Sequence, residues 1–507
     1  MNAPSVSRFP TFRKAGAFIA RVISACARRV RRLFLSRTSL KVYLITATLV
    51  CLTYTSLRWM GRRALQAEKE RVGALGMATD WKQLLTRIPP DEDNFLAAPP
   101  FAGLFVPPYT EATQLQMWFG WQESFTLEDG KTHKKPVPKP RRDTLTEWCE
   151  VFRKSGALPA KTTGESAAEE LIGDQRWHPT IQMVYAAAAR PEAHFPATDS
   201  SEAAMNFNKE AAHITIRNFI HSLQLYARAQ LQSGNLEQSL PAFRVFRHLV
   251  KAVLLEPAEF GPMRASYYLD LQKQLLLEGM ALHRFPSIFL EELVQEDYQT
   301  LIQQASRRAY EVERLNRVHE MENYRTIWYP LLKEPTFQNF LWKYLTPDSS
   351  FTQMAIRHSH FQSELFVAAG PLGEKEDWFS RSKSVTKPYN LNFVAIQISG
   401  GAIDQRLNFL YRHMLPISKA CLRQIAIALE LHYLQNQRYP KSLDELPDSL
   451  PDWTLKDIDG QSIRYTTNET GSHFTLLSVG ADAVLDPADA RRKDDMVFST
   501  NPEHEGN

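Results

Sequence analysis

No C-x-x-C pair occurs in this chain, and its four cysteines (Cys26, Cys51, Cys149 and Cys421) are scattered over 507 residues. That spacing gives no support to a zinc or thioredoxin-like site. Cys26 and Cys51 fall in a basic arm and an apolar run, so only Cys149 and Cys421 are placed to pair with each other. Two separate buried thiols fit them equally well. There is also no Gly-rich phosphate loop, no G-x-S-x-G elbow and no H-E-x-x-H, so the usual signatures of nucleotide, serine-hydrolase and zinc-protease chemistry are missing. "HEMEN" at 319–323 lacks the second histidine that would put two ligands on one helical face. No fixed-period repeat is sustained, which argues against a solenoid.

Acid is missing from the first 41 residues, which hold ten Lys and Arg and no Asp or Glu. The whole chain carries only +4, so the remainder is net −6. The basic character therefore belongs to one arm and is no argument for nucleic acid. Within the arm, Phe12, Ala15, Phe18, Ile19, Val22, Cys26, Val30, Leu33 and Phe34 recur at helical spacing between the cations. Such a helix suits an anionic lipid surface. An acid-free, Arg-rich amphipathic N-terminus also describes a mitochondrial transit peptide.

One long apolar run stands out. "VYLITATLVCLTYTSL" (42–57) has no charge over 16 residues, followed by Arg58, Trp59 and Met60. This is short of the roughly 20 residues needed to cross a hydrocarbon core. Lys41 and Arg58 can extend the span by placing their charges at the two interfaces, and Trp59 suits the interfacial belt. The upstream cations predict an N-terminus in the cytoplasm and the bulk of the chain beyond an inner membrane, in the periplasm. A cleaved signal peptide and a buried core helix rich in threonine are the competing readings.

Hydrophobic content of 44% and charged content of 23% are those of a globular protein long enough for two or three domains. The organisation reads as a basic arm (1–41), a membrane helix (42–60), a helix and Pro-rich region (61–163), a helical domain (164–414) and an α+β module (415–507). "GKTHKKPVPKPRR" (130–142) predicts an extended, solvated loop. "KTTGESAAEE" (161–170) predicts a loop entering a helix with acids at its positive end. Two amphipathic helices hinge at Ser233-Gly234-Asn235, one facing inward through Ile216, Phe219, Ile220, Leu223, Tyr226 and Leu231. The other does so through Phe243, Phe246, Leu249, Val250 and Val253. A charged helix is expected from about Leu290 to Met321, and the aromatics of "RTIWYPLLKEPTFQNFLWKYL" are expected in the core. The fold class is mainly α, a helical body with a small C-terminal α+β module.

In that module, Leu415 to Asn436 predicts an amphipathic helix buried through Leu422, Ile425, Ala426, Leu429 and Tyr433 and stopped at Pro440. Ser442 begins a short turn. Strand-like runs "SIRYTT", "HFTLLSVG" and "DMVFST" follow, with turn chemistry between them. Taken in order, Tyr439-Pro440, Asp457, Gly460, Arg464, Tyr465, Ser478, Gly480, Ala481, Asp482 and Asp495 resemble the globular domain of the type II secretion major pseudopilin. That resemblance implies a calcium loop here with Asp482 and Asp495 as ligands and Asp486 and Asp494 as helpers, oxygen ligation suiting a hard cation. The same loop also reads as a solvated acidic turn. Assembly into a fibre is not expected, because about 350 residues separate the apolar run from the module. The whole layout, with Pro90, Asp91, Asn94 and Ala97 in "PPDEDNFLAAP", resembles a family of uncharacterised single-pass membrane proteins known from Planctomycetes and Verrucomicrobia. No activity comes with that resemblance.

Candidate chemistry is sparse. His358 and His360 point to different sides of a helix, which disfavours metal binding. His213 and His221 share a helical face near Arg217. Asp91, Glu92 and Asp93 offer acid–base groups, but a turn capped by Asn94 explains them better. No catalytic residue and no cofactor, beyond calcium by resemblance, is assigned. The expected role is a non-enzymatic interaction or scaffold protein of the cell envelope, with membrane lipid and envelope proteins as partners and no nucleic acid. An envelope hydrolase with a site in the helical domain and an accessory protein of a secretion or pilus-like system are the alternatives.

Overall fold

The computed structural model describes residues 24–25, 37–84, 89–105, 115, 117–118, 124–126, 132–134, 140, 143–159, 165–195, 207–256, 261–322, 348–368, 414–446, 450, 452–457, 461–479 and 496–500. The protein is mainly helical, with a small antiparallel sheet near its C-terminus. It divides into two compact units, residues 1–70 with 318–357, and residues 71–317 with 358–507. The basic arm up to residue 36, apart from Ser24 and Ala25, and the aromatic stretch 325–345 lie outside the described residues.

The first unit contains most of helix α1 (Arg37–Ala74), 38 residues and so about 57 Å long at 1.5 Å per residue. The apolar run and the helix expected after residue 60 are one continuous element. Leu44, Ile45, Leu49, Val50 and Leu52 are exposed around its whole circumference, and none of the apolar window is buried. This argues against the buried core helix. Three of its threonines fit a lipid span because they return their hydroxyls to the preceding turn, Thr48 to Leu44 O at 2.7 Å, Thr53 to Leu49 O at 2.8 Å and Thr55 to Cys51 O at 2.8 Å. Lower in the same helix, Leu65 is buried with Val318 and Ala355 in a small core.

In the second unit, short helices α2 (Leu145–Lys154), α3 (Ala167–Gly173) and α4 (His178–Ala187) surround the start of a helical hairpin. Their boundaries follow capping chemistry. Thr144 accepts from Glu147 N at the head of α2, and Ser166 with Glu169 forms a reciprocal capping box on α3. The hairpin is α5 (Phe207–Gln232) and α6 (Leu236–Leu255). Gly234 sits between them at φ +84°, a conformation that a β-carbon disfavours. Every apolar residue predicted to face inward on these two helices is buried. Helix α7 (Gly261–Ala281) packs on both, followed by α8 (Ser287–Val294), α9 (Tyr298–Glu322) and α10 (Asp348–Ala368).

Three expectations are corrected here. The charged helix from Leu290 is broken at 295–297, where Asp297 Oδ1 accepts from Thr300 N at 3.0 Å and starts α9 afresh. The break leaves Glu296 off the helix axis, where it meets the buried Arg423 at 2.7 Å. The basic loop 130–142 is not wholly irregular. Within it, β2 (Thr132–Lys134) pairs antiparallel with β1 (Ser124–Thr126).

The third correction concerns α11 (Leu415–Asn436). Instead of showing one buried face, it is buried on nearly every side from Pro416 to Glu430. It lies between α7 and α8 on one side and the sheet on the other. Such a helix must neutralise its cations internally. Arg423 reaches Glu296 and Gln272 Oε1 at 2.9 Å, and Lys419 reaches Asp270 at 2.6 Å. The helix stops at Gln437, which is left-handed at φ +59°, three residues before Pro440. The sheet is a meander of β3 (Arg464–Thr467), β4 (Phe474–Ser478) and β5 (Met496–Ser499), registered Arg464↔Leu477 and Leu476↔Phe498. Phe474, Leu476 and Ser478 of β4 alternate inward. One apolar core runs from Phe95 through the helices to Phe498, so sheet and helical body share it.

Candidate functional site

The four loop carboxylates, Asp482, Asp486, Asp494 and Asp495, lie outside the described residues. Gly460, Gly480 and Ala481 of the motif lie outside them too, whereas Asp457, Arg464 and Ser478 are described and form a polar lock. Asp457 is buried and accepts from Arg464 Nη1 at 2.8 Å, from Ser478 Oγ at 2.5 Å and from the backbone N–H of Val479 at 2.8 Å. Both its oxygens are engaged by donors, so this aspartate holds the end of β4 against β3 and is not a cation ligand. Tyr465 donates to Pro440 O at 2.6 Å, and burial pushes its phenol up to about 12. The Tyr-Pro stop is thereby fastened to the sheet.

A second polar cluster joins helical body and module. Glu430 of α11 is fully buried, with its carboxylate accepting from Tyr439 Oη at 2.6 Å and lying 3.0 Å from His283 Nδ1. His283 follows α7 at φ +48° and stacks on Tyr433 with ring centroids 3.7 Å apart and planes 5° from parallel. Burial raises the pKa of Glu430, and the Tyr439 and His283 contacts hold it back. Burial also raises the Tyr439 phenol, with the neighbouring Glu430 charge adding to it. The sequence marked Tyr433 and Tyr439 separately but neither Glu430 nor His283, and did not join them, because Glu430 lies 147 residues from His283 and 9 from Tyr439.

The acidic "PPDEDN" stretch resolves into a scaffold element. Asn94 is buried and bridges to a distant segment, donating to His194 O at 3.0 Å and accepting from His194 N at 2.9 Å. It also caps a short turn through Leu96 N. Asp91, Glu92 and Asp93 are exposed, while Arg190 donates to Asp91 O and Asn94 O at 2.6 and 2.9 Å. Cys149 and Cys421 are not joined in a disulfide, the first lying against Ala167 O and the second against Gln299. His358 packs near Gln362 and Phe361 on α10. Among the described residues no three His, Cys, Asp or Glu come together as metal ligands.

The histidine pair on α5 separates. His221 meets the Trp148 ring edge-on at 5.3 Å, whereas His213 and Arg217, one turn apart, line a cavity of about 520 Å³. Its opposite wall is the first turns of α7, from which Met263, Arg264, Tyr267 and Tyr268 project at i, i+1, i+4 and i+5. His213 is 5% exposed, tilted on Phe195 at 4.7 Å, with Nε2 3.2 Å from Glu256 Oε2. Glu256 also stands 3.6 Å from Arg264 Nη1. Neither ring nitrogen of His213 makes an aligned hydrogen bond among the described residues. Burial raises the phenols of Tyr267 and Tyr268, so both are neutral at ordinary pH. Of this group the sequence flagged only His213 and Arg217. The α7 residues are ordinary in spacing and become a wall only through helix packing.

No known protein family matches this chain, and neither a curated protein nor a solved structure matches it.

Proposed function

We propose that this chain is a single-pass anchored protein of the cell inner membrane, with its N-terminus in the cytoplasm and its bulk in the periplasm. There it serves as a non-enzymatic interaction or scaffold protein of the envelope. The observation that carries the reading is the apolar run of α1, exposed on all sides, with Thr48, Thr53 and Thr55 satisfied within the helix. A helix of that kind is stable in lipid and a liability in water. The ten cations of residues 1–41, the last of them Lys41 at the start of the apolar run, and Arg58 at its end support the orientation. Trp59, under the Arg63 guanidinium at 4.3 Å, suits the far interface.

The scaffold role draws support from the polar clusters already described. Asn94, Asp457 and Glu430 each tie remote backbone segments together, which builds a rigid surface. The order helix, Tyr-Pro stop and three-stranded meander supports reading 415–507 as a pseudopilin-like module within that body. The test is protease accessibility in sealed inverted inner-membrane vesicles, whose outer face is the cytoplasmic one. Protection of everything beyond residue 61, with loss of the basic arm only, is expected. Digestion of the body in intact vesicles would reverse the topology and end the envelope reading.

A further inference from the structure

We propose that the cavity between α5 and α7 binds a small anionic amphiphile, a single carboxylate or phosphate head carrying a short apolar chain. The proposal goes beyond the anchoring role and holds whichever side of the membrane the body occupies.

The polar end is cationic. Arg217 and Arg264 line it, Glu256 is shared between Arg264 at 3.6 Å and His213 at 3.2 Å, and Asp270, whose charge is felt at Tyr267, is held by Lys419 at 2.6 Å. His213 brings ring nitrogens without aligned hydrogen bonds among the described residues to a position that is 95% buried. A buried imidazole in that condition gains by meeting an acceptor, and an oxyanion supplies several. Arginine forks match carboxylate and phosphate geometry. The same two guanidinium groups oppose a metal ion, and among the described residues no three His, Cys, Asp or Glu come together there to hold one.

The rest of the wall is apolar. Ile214 and Met263 are 42% and 41% exposed on opposite helices, and the Tyr267 and Tyr268 rings continue the surface. An alkyl chain lying there would cover them. Among the described residues the lining holds no Asn, Gln, Ser or Asp to read the edge of a base, which disfavours a nucleotide. The volume falls within the roughly 300–1,000 Å³ typical of small-molecule sites.

The experiment uses the full chain in discs of zwitterionic lipid, with empty discs subtracted, and titrates octanoate, octyl phosphate, octanol, octyltrimethylammonium and inorganic phosphate by calorimetry. Octanoate and octyl phosphate should bind saturably at one site, and octanol, octyltrimethylammonium and inorganic phosphate at least about tenfold more weakly. Arg217 is exposed, so Arg217→Met should keep the melting temperature while weakening octanoate about tenfold, and Arg217→Lys should restore most of it. Discs doped with phosphatidylglycerol separate the sources. Competition with octanoate identifies a membrane lipid and no competition a soluble amphiphile, and Arg217-dependent binding supports the proposal in either arm. Equal binding of octanol and octanoate, equal binding of inorganic and octyl phosphate, or an Arg217→Met protein that binds like the original would each overturn it.

Discussion

Tyr439, three residues beyond α11, donates its phenolic proton to the buried carboxylate of Glu430 inside that helix at 2.6 Å. The bond closes a loop of nine residues and fixes the Tyr-Pro stop against the hairpin, where Tyr439 N also donates to Gly471 O at 2.8 Å. Removing the hydroxyl leaves a buried charge one donor short. Tyr439→Phe should therefore destabilise the protein by about 2 kcal/mol at neutral pH. Its pH dependence has a definite sign. Burial already raises the folded-state pKa of Glu430, and the Tyr439 bond is among the effects holding it down. Losing that bond raises it further, so the protonated form is favoured more in the folded state. The cost of the substitution is then small below the unfolded carboxylate value and grows as pH rises through the folded one. Denaturant midpoints of both proteins at pH 4.5 and 7.5 measure this, and an equal gap at both would contradict it.

The buried His248 predicts an acid limb. It lies against the Phe95 ring at 5.1 Å with planes 16° apart, and Nε2 is 3.0 Å from Ala188 O. Burial lowers its pKa, with Arg247 and Lys251 adding to the effect and Ala188 O and Glu192 opposing it. His194 is lowered as well, by burial first. A depressed histidine stabilises the fold above its unfolded value of 6.5, and that contribution is lost as pH falls toward the folded one. Stability should decline from pH 7 to 5, and His248→Gln should flatten the slope by the share of one proton. The readout is the free energy of unfolding at half-unit steps of pH.

How far the sequence led can be judged residue by residue. The Ser233-Gly234-Asn235 hinge and the three terminal strands were legible because turn chemistry and local periodicity are written within a dozen residues. The all-round burial of α11 was not, because Arg423 and Lys419 look like surface residues until Glu296 arrives from the break between α8 and α9 and Asp270 from α7. His213 and Arg217 were visible as a helical pair. The wall opposite, from Met263 to Tyr268, depends on how α5 and α7 cross, and no local signal encodes that. The same holds for Glu430 with His283.

The acidic stretch 91–94 allows a sharp contrast. Asn94 satisfies backbone groups of His194 and Leu96 from a buried position, so Asn94→Ala orphans two donors and an acceptor at once. A loss of about 2–3 kcal/mol is expected. Asp91→Asn, Glu92→Gln and Asp93→Asn alter exposed side chains and should stay within about 0.5 kcal/mol. Thermal unfolding of the four variants separates the roles. Large losses from the acidic substitutions, with Asn94→Ala harmless, would show that the exposed carboxylates and not the asparagine hold this segment.

Gly279 tests the packing of α7 itself. A β-carbon built there would lie 2.0 Å from the Phe285 ring, so the two cannot coexist as placed. Phe285 cannot simply swing away, because it sits edge-on to Phe243 at 5.6 Å and tilted on Phe289 at 5.5 Å, within the same core. Helix propensity alone would make Gly279→Ala stabilising by about 1 kcal/mol. Overpacking opposes that with a cost of about 1–3 kcal/mol. The ring is hemmed in by two others, so the steric cost should win and the variant should melt at lower temperature. Gly279→Ala combined with Phe285→Leu should recover part of the loss, since the smaller side chain vacates the space the methyl needs. A double variant no better than the sum of the two single ones would show that the methyl and the ring do not compete for that space.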